Sequence, residues 1–276
     1  DGSISQLKGK NIDIAFGNKG RLKGRFSIKG LPDYDETFLN LSVKELTVFQ
    51  RDLEGMPLFP KDADNDLLLP KLTNNLGKIN FKGDFTGFHN DFVAYGEFKT
   101  DRGLILSDLS LKEDPVSKSI KYSGNLSSSY FDAGHFLGIS DQIGSAAFDL
   151  NLDGTGIENE TAKMRVGGAI HGIYINEYYY RNIRMEGDLA KNRFTGSLQM
   201  HDENIDFGFN GKIDMTGRLP VFDFNAAVNY ANLNSLRISH RDSSAVLSAR
   251  LRSNFSGDAI GNMVGIMEVA DVRYQY

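Results

Sequence analysis

The sequence predicts an all-β protein: a long, curled antiparallel sheet (a β-taco, or repeating β-groove) with a hydrophobic interior and few short helices. Three observations predict it. Apolar and polar residues alternate with a period of two in many segments, the connections between these segments are short and polar, and glycine recurs among the apolar positions. Because successive side chains of a strand point to opposite faces, each segment forms one apolar and one polar face.

The alternation is clearest from Ile205 to Met215, where every odd position is apolar or glycine. It recurs at residues 79–87, 148–154, 183–189, 194–200, 222–228 and 245–251. The polar connections at residues 190–193 and 201–204 are typical of hairpins. We therefore expect a meander, in which each strand pairs with the next one along the chain.

Glycine lies on the apolar phase of these segments at positions 83, 87, 187, 196 and 211. A glycine inside a strand usually marks a bend, a bulge or a close approach of two backbones. Repeated on one face, it favours a sheet that curls toward that face. The alternative, glycine that is simply tolerated in the core of a sandwich, stays open.

Helical signals are scarce, which leaves open what covers the apolar face. Residues 67–76 and 131–137 are each expected to form a short helix or a loop, and neither is long enough to cover a broad sheet. An apolar face must be buried against something. Four coverings remain: a second sheet, the curled-over half of the same sheet, a membrane, or acyl chains.

The 276 residues contain no clean domain boundary. We expect a first part of the groove over residues 1–112, with a loop or short-helix insert near residues 60–77. A continuing meander then covers residues 113–276, with the joint near residues 112–119. The chain begins with Asp1 rather than methionine, so we expect a fragment of a longer polypeptide.

Composition excludes several classes of protein. The absence of cysteine excludes a disulfide framework, a thiolate metal site and a cysteine nucleophile. The net charge of -5 argues against a nucleic-acid binder, whose binding domain is usually basic. The longest apolar runs have three or four residues, far below the roughly 20 of a membrane-spanning helix.

The search for catalytic motifs predicts that the protein is not an enzyme. The five histidines are 30 to 46 residues apart, so none forms a zinc-binding pair within one motif. Asp62, Asp64 and Asp66 imitate the start of a calcium loop, but Leu67 and Thr73 replace its glycine and final glutamate. We expect no catalytic residues, no cofactor and no metal.

In an ordinary sandwich the alternating apolar residues would meet an opposing sheet, whereas in a curled sheet without a second layer they would line a hydrophobic groove able to hold lipid tails. Each buried methylene of such a tail would contribute about 0.8 kcal/mol. Without polar anchors, that gain would retain a lipid and still let it slide. The residues predicted to line the groove are Phe81, Phe85, Phe148, Leu150, Leu152, Ile183, Met185, Leu189, Phe194, Leu198, Met200, Ile205, Phe207, Phe209, Ile213, Phe222, Phe224, Val228, Leu247 and Leu251.

Several segments of the chain, taken together and in their order, resemble the TamB and AsmA-like envelope proteins. The resemblance is specifically to the TamB form of Bacteroidota-type bacteria. The resemblance extends through nearly the whole chain, and no single segment is diagnostic by itself. The segments that carry it are residues 30–38 (GLPDYDETF), 69–77 (LPKLTNNLG), 79–88 (INFKGDFTGF), 91–94, 100–103, 180–187 (YRNIRMEG), 194–198 and 202–204.

The resemblance implies an elongated β-groove in the periplasm, within the cell envelope of a Gram-negative bacterium. It implies an inner-membrane anchor and a docking region for an Omp85-class outer-membrane barrel, both in parts that this chain does not contain. The family is linked to phospholipid passage between the two membranes for outer-membrane biogenesis. It is also linked to the translocation and assembly of outer-membrane and autotransporter proteins, and it supplies no catalytic residues.

Two functional hypotheses follow. The first is a non-catalytic segment of a periplasm-spanning protein that carries phospholipids by their acyl chains, with no nucleic-acid partner. The alternative is a scaffold for the assembly of outer-membrane or autotransporter proteins that works with the Omp85-class barrel. In that case the edges of the scaffold's own sheet accept client strands. An outer-membrane β-barrel or pore is disfavoured, because phenylalanines occur in the middle of the predicted strands as often as at their ends. An adhesin-like or carbohydrate-binding domain is the last alternative.

Overall fold

The computed structural model describes residues 6–17, 19–33, 35–49, 75–117, 119–156, 162–239, 245–258 and 260–275. Strand makes up 74% of the structure and helix 3%, which confirms the predicted all-β fold. The strands form one antiparallel sheet in which each strand lies beside its neighbours in sequence, and the sheet is not closed. The predicted meander is therefore confirmed.

The described part of the chain contains fifteen strands, one short α-helix and one 3-10 turn. Their bounds are β1 Gln6–Phe16, β2 Gly20–Lys29, β3 Phe38–Val48, β4 Ile79–Phe88, β5 Asp91–Thr100, β6 Gly103–Glu113, β7 Ile120–Asp132, α1 Ala133–Leu137, β8 Ile143–Thr155, β9 Lys163–Ile175, β10 Tyr178–Ala190, β11 Arg193–Asp202, β12 Ile205–Asp214, β13 Val221–Asn232, β14 Val246–Ser256, the 3-10 turn Ile260–Asn262 and β15 Val264–Gln275.

The chain divides into two compact units. The first contains residues 1–139 and 155–157, and the second contains residues 140–154 and 158–276. The segment proposed as a joint, residues 112–119, connects β6 to β7 inside the first unit. Most of the expected insert near residues 60–77 lies outside the described residues, as do the calcium-loop-like aspartates.

The short helix α1 forms within residues 131–137, where the sequence predicts a helix or a loop. The side chain of Asp132 accepts a hydrogen bond from the backbone N–H of His135, which caps the first turn. Gly138 ends the helix in the left-handed conformation, with φ of 73°. Five residues are too few to cover a broad sheet.

In the first unit, cross-strand register places the apolar phases of successive strands on one face. Leu41 lies opposite Phe85, Phe85 opposite Ala94, and Ala94 opposite Leu109. We call this the apolar face of the first unit. Its best-packed part is a cluster around Val48 and Ile79, 3% and 5% exposed, with Phe16, Leu46, Leu76 and Phe98 against it.

In the second unit the same relationship runs through four strands. Leu198 lies opposite Phe209, Phe209 opposite Ala226, and Ala226 opposite Leu251. This is the apolar face of the second unit. Because side chains directly opposite one another on adjacent strands are close neighbours, the face is continuous from strand to strand.

Glycine marks close approaches of neighbouring backbones at Gly83 and Gly196. A Cβ atom at Gly83 would overlap the carbonyl oxygen of Tyr95, and one at Gly196 would overlap the carbonyl oxygen of Glu186. In both units, therefore, the apolar phase carries glycine where a larger residue would force the strands apart. This geometry agrees with a sheet that curls within each unit.

Candidate hydrophobic binding face

The twenty residues predicted to line a groove lie on strands of both units. Phe81 and Phe85 belong to β4 in the first unit, and the other eighteen belong to the second unit. There, β8, β10, β11 and β13 contribute three residues each, β12 contributes four and β14 contributes two. The residues from β10 to β14 share the apolar face of the second unit, as the register shows.

The three residues on β8 alternate with exposed polar residues. Phe148, Leu150 and Leu152 are half-buried, whereas Asp149 and Asn151 between them are exposed. Strand β8 therefore has the one-sided pattern that the sequence predicts.

Phenylalanine rings connect neighbouring strands on both apolar faces. In the first unit, the ring centroids of Phe81 and Phe98 are 4.6 Å apart and those of Phe85 and Phe92 are 4.5 Å apart. In the second unit, those of Phe222 and Phe255 are 4.9 Å apart. Such tilted pairs are in the range where aromatic rings attract each other.

Most of these side chains are only half-buried. Phe81, Ile183 and Met200 are 8%, 3% and 9% exposed, and the other seventeen have intermediate exposure. A residue between two packed sheets would be almost completely buried, because protein interiors are close-packed. Each unit therefore leaves its apolar face partly accessible, and a flexible apolar ligand could complete the packing.

Electrostatics also distinguish the apolar face from bulk solvent. Tyr122 lies opposite Leu111 on the apolar face of the first unit, and it is half-buried. Burial raises the pKa of its phenol above the ordinary value. The surroundings of this ring therefore disfavour its charged form.

Ser253 lies on the apolar face of the second unit, but the sequence analysis did not include it among the groove residues. It lies opposite Phe224 on one side and Met267 on the other, and it is 2% exposed. Its Oγ has no hydrogen-bond partner in the described structure. The signal in the sequence was a serine on the apolar phase, between Leu251 and Phe255.

The opposite face of the sheet carries cross-strand ion pairs. Arg21 contacts Asp13 at 2.7 Å, and Lys112 contacts Asp91 at 2.6 Å. The hydrogen bond from Arg21 lowers the pKa of Asp13 below its ordinary value. Exposed pairs of this kind contribute little to stability, so this polar face is mainly a solvated surface.

Two properties of the described residues bear on chemistry. No group of three or more histidine, aspartate or glutamate side chains there is arranged to hold a metal ion. No helix in the same ranges is long and apolar enough to cross a membrane.

Comparison with known proteins identifies no relative. No family model, no curated protein and no solved structure matches this chain.

Proposed function

We propose that this chain is a non-catalytic segment of a TamB/AsmA-like protein that spans the periplasm and carries phospholipids between the inner and outer membranes. One observation carries the proposal: the apolar face of the second unit is continuous over β10 to β14, and most of its side chains are only half-buried. Acyl chains are the ligand that such a face suits best.

The size of the hydrophobic gain supports this choice. Each methylene that leaves water contributes about 0.8 kcal/mol, so a sixteen-carbon tail gains on the order of 10 kcal/mol before ordering costs. The rings along β11, β12 and β13 offer similar apolar contacts from strand to strand. Because those contacts are non-directional, a bound tail can move along the face without losing a specific hydrogen bond.

Phospholipid binding by delipidated protein tests the proposal. The protein is mixed with phosphatidylethanolamine, and bound lipid is counted by native mass spectrometry. Val228→Trp places a large ring on the half-buried apolar face, whereas Asn225→Asp changes an exposed residue of the same strand on the polar face. We expect the tryptophan variant to lose most of the bound lipid and the aspartate variant to keep it.

Circular dichroism of both variants shows whether the sheet is intact. If the wild-type protein retains no phospholipid, or if a folded Val228→Trp variant binds as much as wild type, the proposal is wrong.

A second function, the capture of unpaired β-strands from client proteins, is favoured by one feature of β15. Within the described chain this strand pairs on one side only, with β14, and all twelve of its residues are exposed. Apolar side chains such as Ile266 and Val269 are 63% and 51% exposed. Backbone groups along such an edge can accept another strand.

Proline scanning separates the two functions. Single prolines at positions 266 to 269 each remove one backbone N–H donor. Where that N–H points away from β14, the substitution leaves the pairing with β14 intact. Strand capture predicts that a folded proline variant loses client binding and keeps lipid binding. Unchanged client binding in every folded variant would rule out capture at this edge.

A further inference from the structure

The polar face of the second unit contains a depression of about 520 Å³ over β10. Its polar side chains come from three adjacent strands: His171 on β9, Asn182 and Arg184 on β10, and Gln199 and His201 on β11. The apolar face is on the other side of the same strands. The depression also contacts Ile170 and Ile183, but its histidine and arginine side chains are on the face opposite the proposed lipid-binding surface.

Each of the two histidines contacts a carboxylate on the neighbouring strand that lies away from β10, which is β8 for His171 and β12 for His201. Nε2 of His171 contacts Oδ2 of Asp149 on β8 at 2.7 Å. Nδ1 of His201 contacts Oδ2 of Asp206 on β12 at 3.4 Å. The other ring nitrogen of each histidine has no partner in the described structure, so both imidazoles can offer a second polar atom to a ligand.

Arg184 is on β10, between the strands that carry the two histidines. It is opposite Ala169 on one side and Gln199 on the other. Both neighbours are uncharged, and Arg184 makes no hydrogen bond or ion pair among the described residues. The next residue on the same face of β10 is Glu186, an exposed carboxylate. The guanidinium is thus available to an incoming anion.

We propose that this cluster binds a phosphate group. A guanidinium presents a planar fork of N–H donors that matches two oxygens of a phosphate. Protonated imidazoles from β9 and β11 supply further N–H donors, and the amide of Gln199 supplies uncharged ones. A tetrahedral anion can meet donors from three directions, and the volume also admits a small group esterified to the phosphate.

The charge of the site depends on the protonation of its two histidines. When an imidazole is protonated, its second nitrogen changes from an acceptor to a donor and the site gains a positive charge. The charged groups facing the site are Arg184, Glu186, Asp149 and Asp206. The three carboxylates oppose the anion throughout, so without protonated histidines Arg184 alone provides the attraction.

The test titrates inorganic phosphate into the full chain, with the ring C–H signals of His171 and His201 followed by NMR. We expect saturable shifts at pH 6, where Arg184 supplies charge-assisted hydrogen bonds to the phosphate. Arg184→Gln should weaken binding about tenfold at pH 6. Arg165→Gln is the matched control, because Arg165 is on the polar face of β9 and already contacts Asp188 at 3.3 Å.

Two further ligands distinguish the source of the phosphate. Glycerol 3-phosphate represents a soluble phosphomonoester, and phosphatidylcholine vesicles containing phosphatidic acid represent a lipid headgroup. If binding of one of these ligands depends on Arg184 and not on Arg165, the result supports the site. The ligand that binds then identifies the source of the phosphate. The absence of saturable shifts with all three ligands would overturn the proposal, as would equal losses in the two arginine variants.

Discussion

Phe209 packs against Phe224 across β12 and β13, with ring centroids 5.2 Å apart and planes inclined by 41°. On its other side, Phe209 lies 6.0 Å from Phe194 of β11. Three adjacent strands are thus connected by aromatic contacts on the apolar face of the second unit. Cross-strand pairs of this kind stabilise a sheet through its own neighbours, which suits a face that stays partly accessible.

The contact between Phe209 and Phe224 should be measurable as a coupling energy. In a double-mutant cycle with Phe209→Leu and Phe224→Leu, we expect a coupling of about 0.5–1.5 kcal/mol, because tilted aromatic pairs attract beyond their buried area. Urea denaturation provides the free energies of unfolding. Phe255, which contacts Phe222 instead, is the control partner, and its cycle with Phe209 should be additive. A coupling of zero between Phe209 and Phe224 would contradict the packing.

The close approach at Gly196 predicts a large effect for a small substitution. Gly196→Ala should lower the free energy of unfolding by about 1–3 kcal/mol, because its methyl group would overlap the backbone of β10. Gly208→Ala is the matched control on β12, since a Cβ atom there meets nothing within 4 Å. The control should be neutral or slightly stabilising. Equal stability of both variants in urea denaturation would contradict the glycine-dependent approach.

The sequence predicted the strands well because alternation depends on local residues. The run from Ile205 to Met215 corresponds to β12, Ile205–Asp214. The alternation could not predict the shift in register between Asp206 and Phe207, because that irregularity arises in the pairing of β12 with β13. The two-unit division was also hidden, because it depends on which residues come into contact when the chain folds.

The proposed phosphate site shows most clearly what sequence reasoning misses. His171 and His201 are 30 residues apart and belong to no motif. They flank one depression only because the meander places β9 and β11 on either side of β10. Ser253 is a second example. The sequence shows that Ser253 belongs to the apolar face, but its burial depends on Phe224 and Met267, which come from other strands.

Asp114 should titrate well below an ordinary aspartate. Its Oδ1 accepts hydrogen bonds from the backbone N–H and hydroxyl of Ser117, at 2.9 and 3.0 Å, and from the backbone N–H of Val116. These bonds lower the pKa of Asp114 from 3.8 to about 2. Because folding favours the charged form, the stabilisation is complete above pH 3.8 and is lost as the pH falls through about 2.

Carbon-detected NMR of the Asp114 carboxyl group measures this titration directly. Ser117→Ala removes the hydroxyl donor and should move the midpoint upward, toward the ordinary value. A midpoint near 3.8 in the wild-type protein would contradict the hydrogen-bonded turn at residues 114–117.

Photocrosslinking at two adjacent residues tests the lipid-carrying proposal most directly. Phe207 is on the half-buried apolar face, and Gly208 is on the polar face, where a new side chain meets open space. Benzoylphenylalanine is introduced at either position in the full-length protein, in cells. We predict phospholipid adducts at position 207 and none at position 208. Adducts to protein alone at position 207, or no adduct there, would contradict a lipid-filled groove.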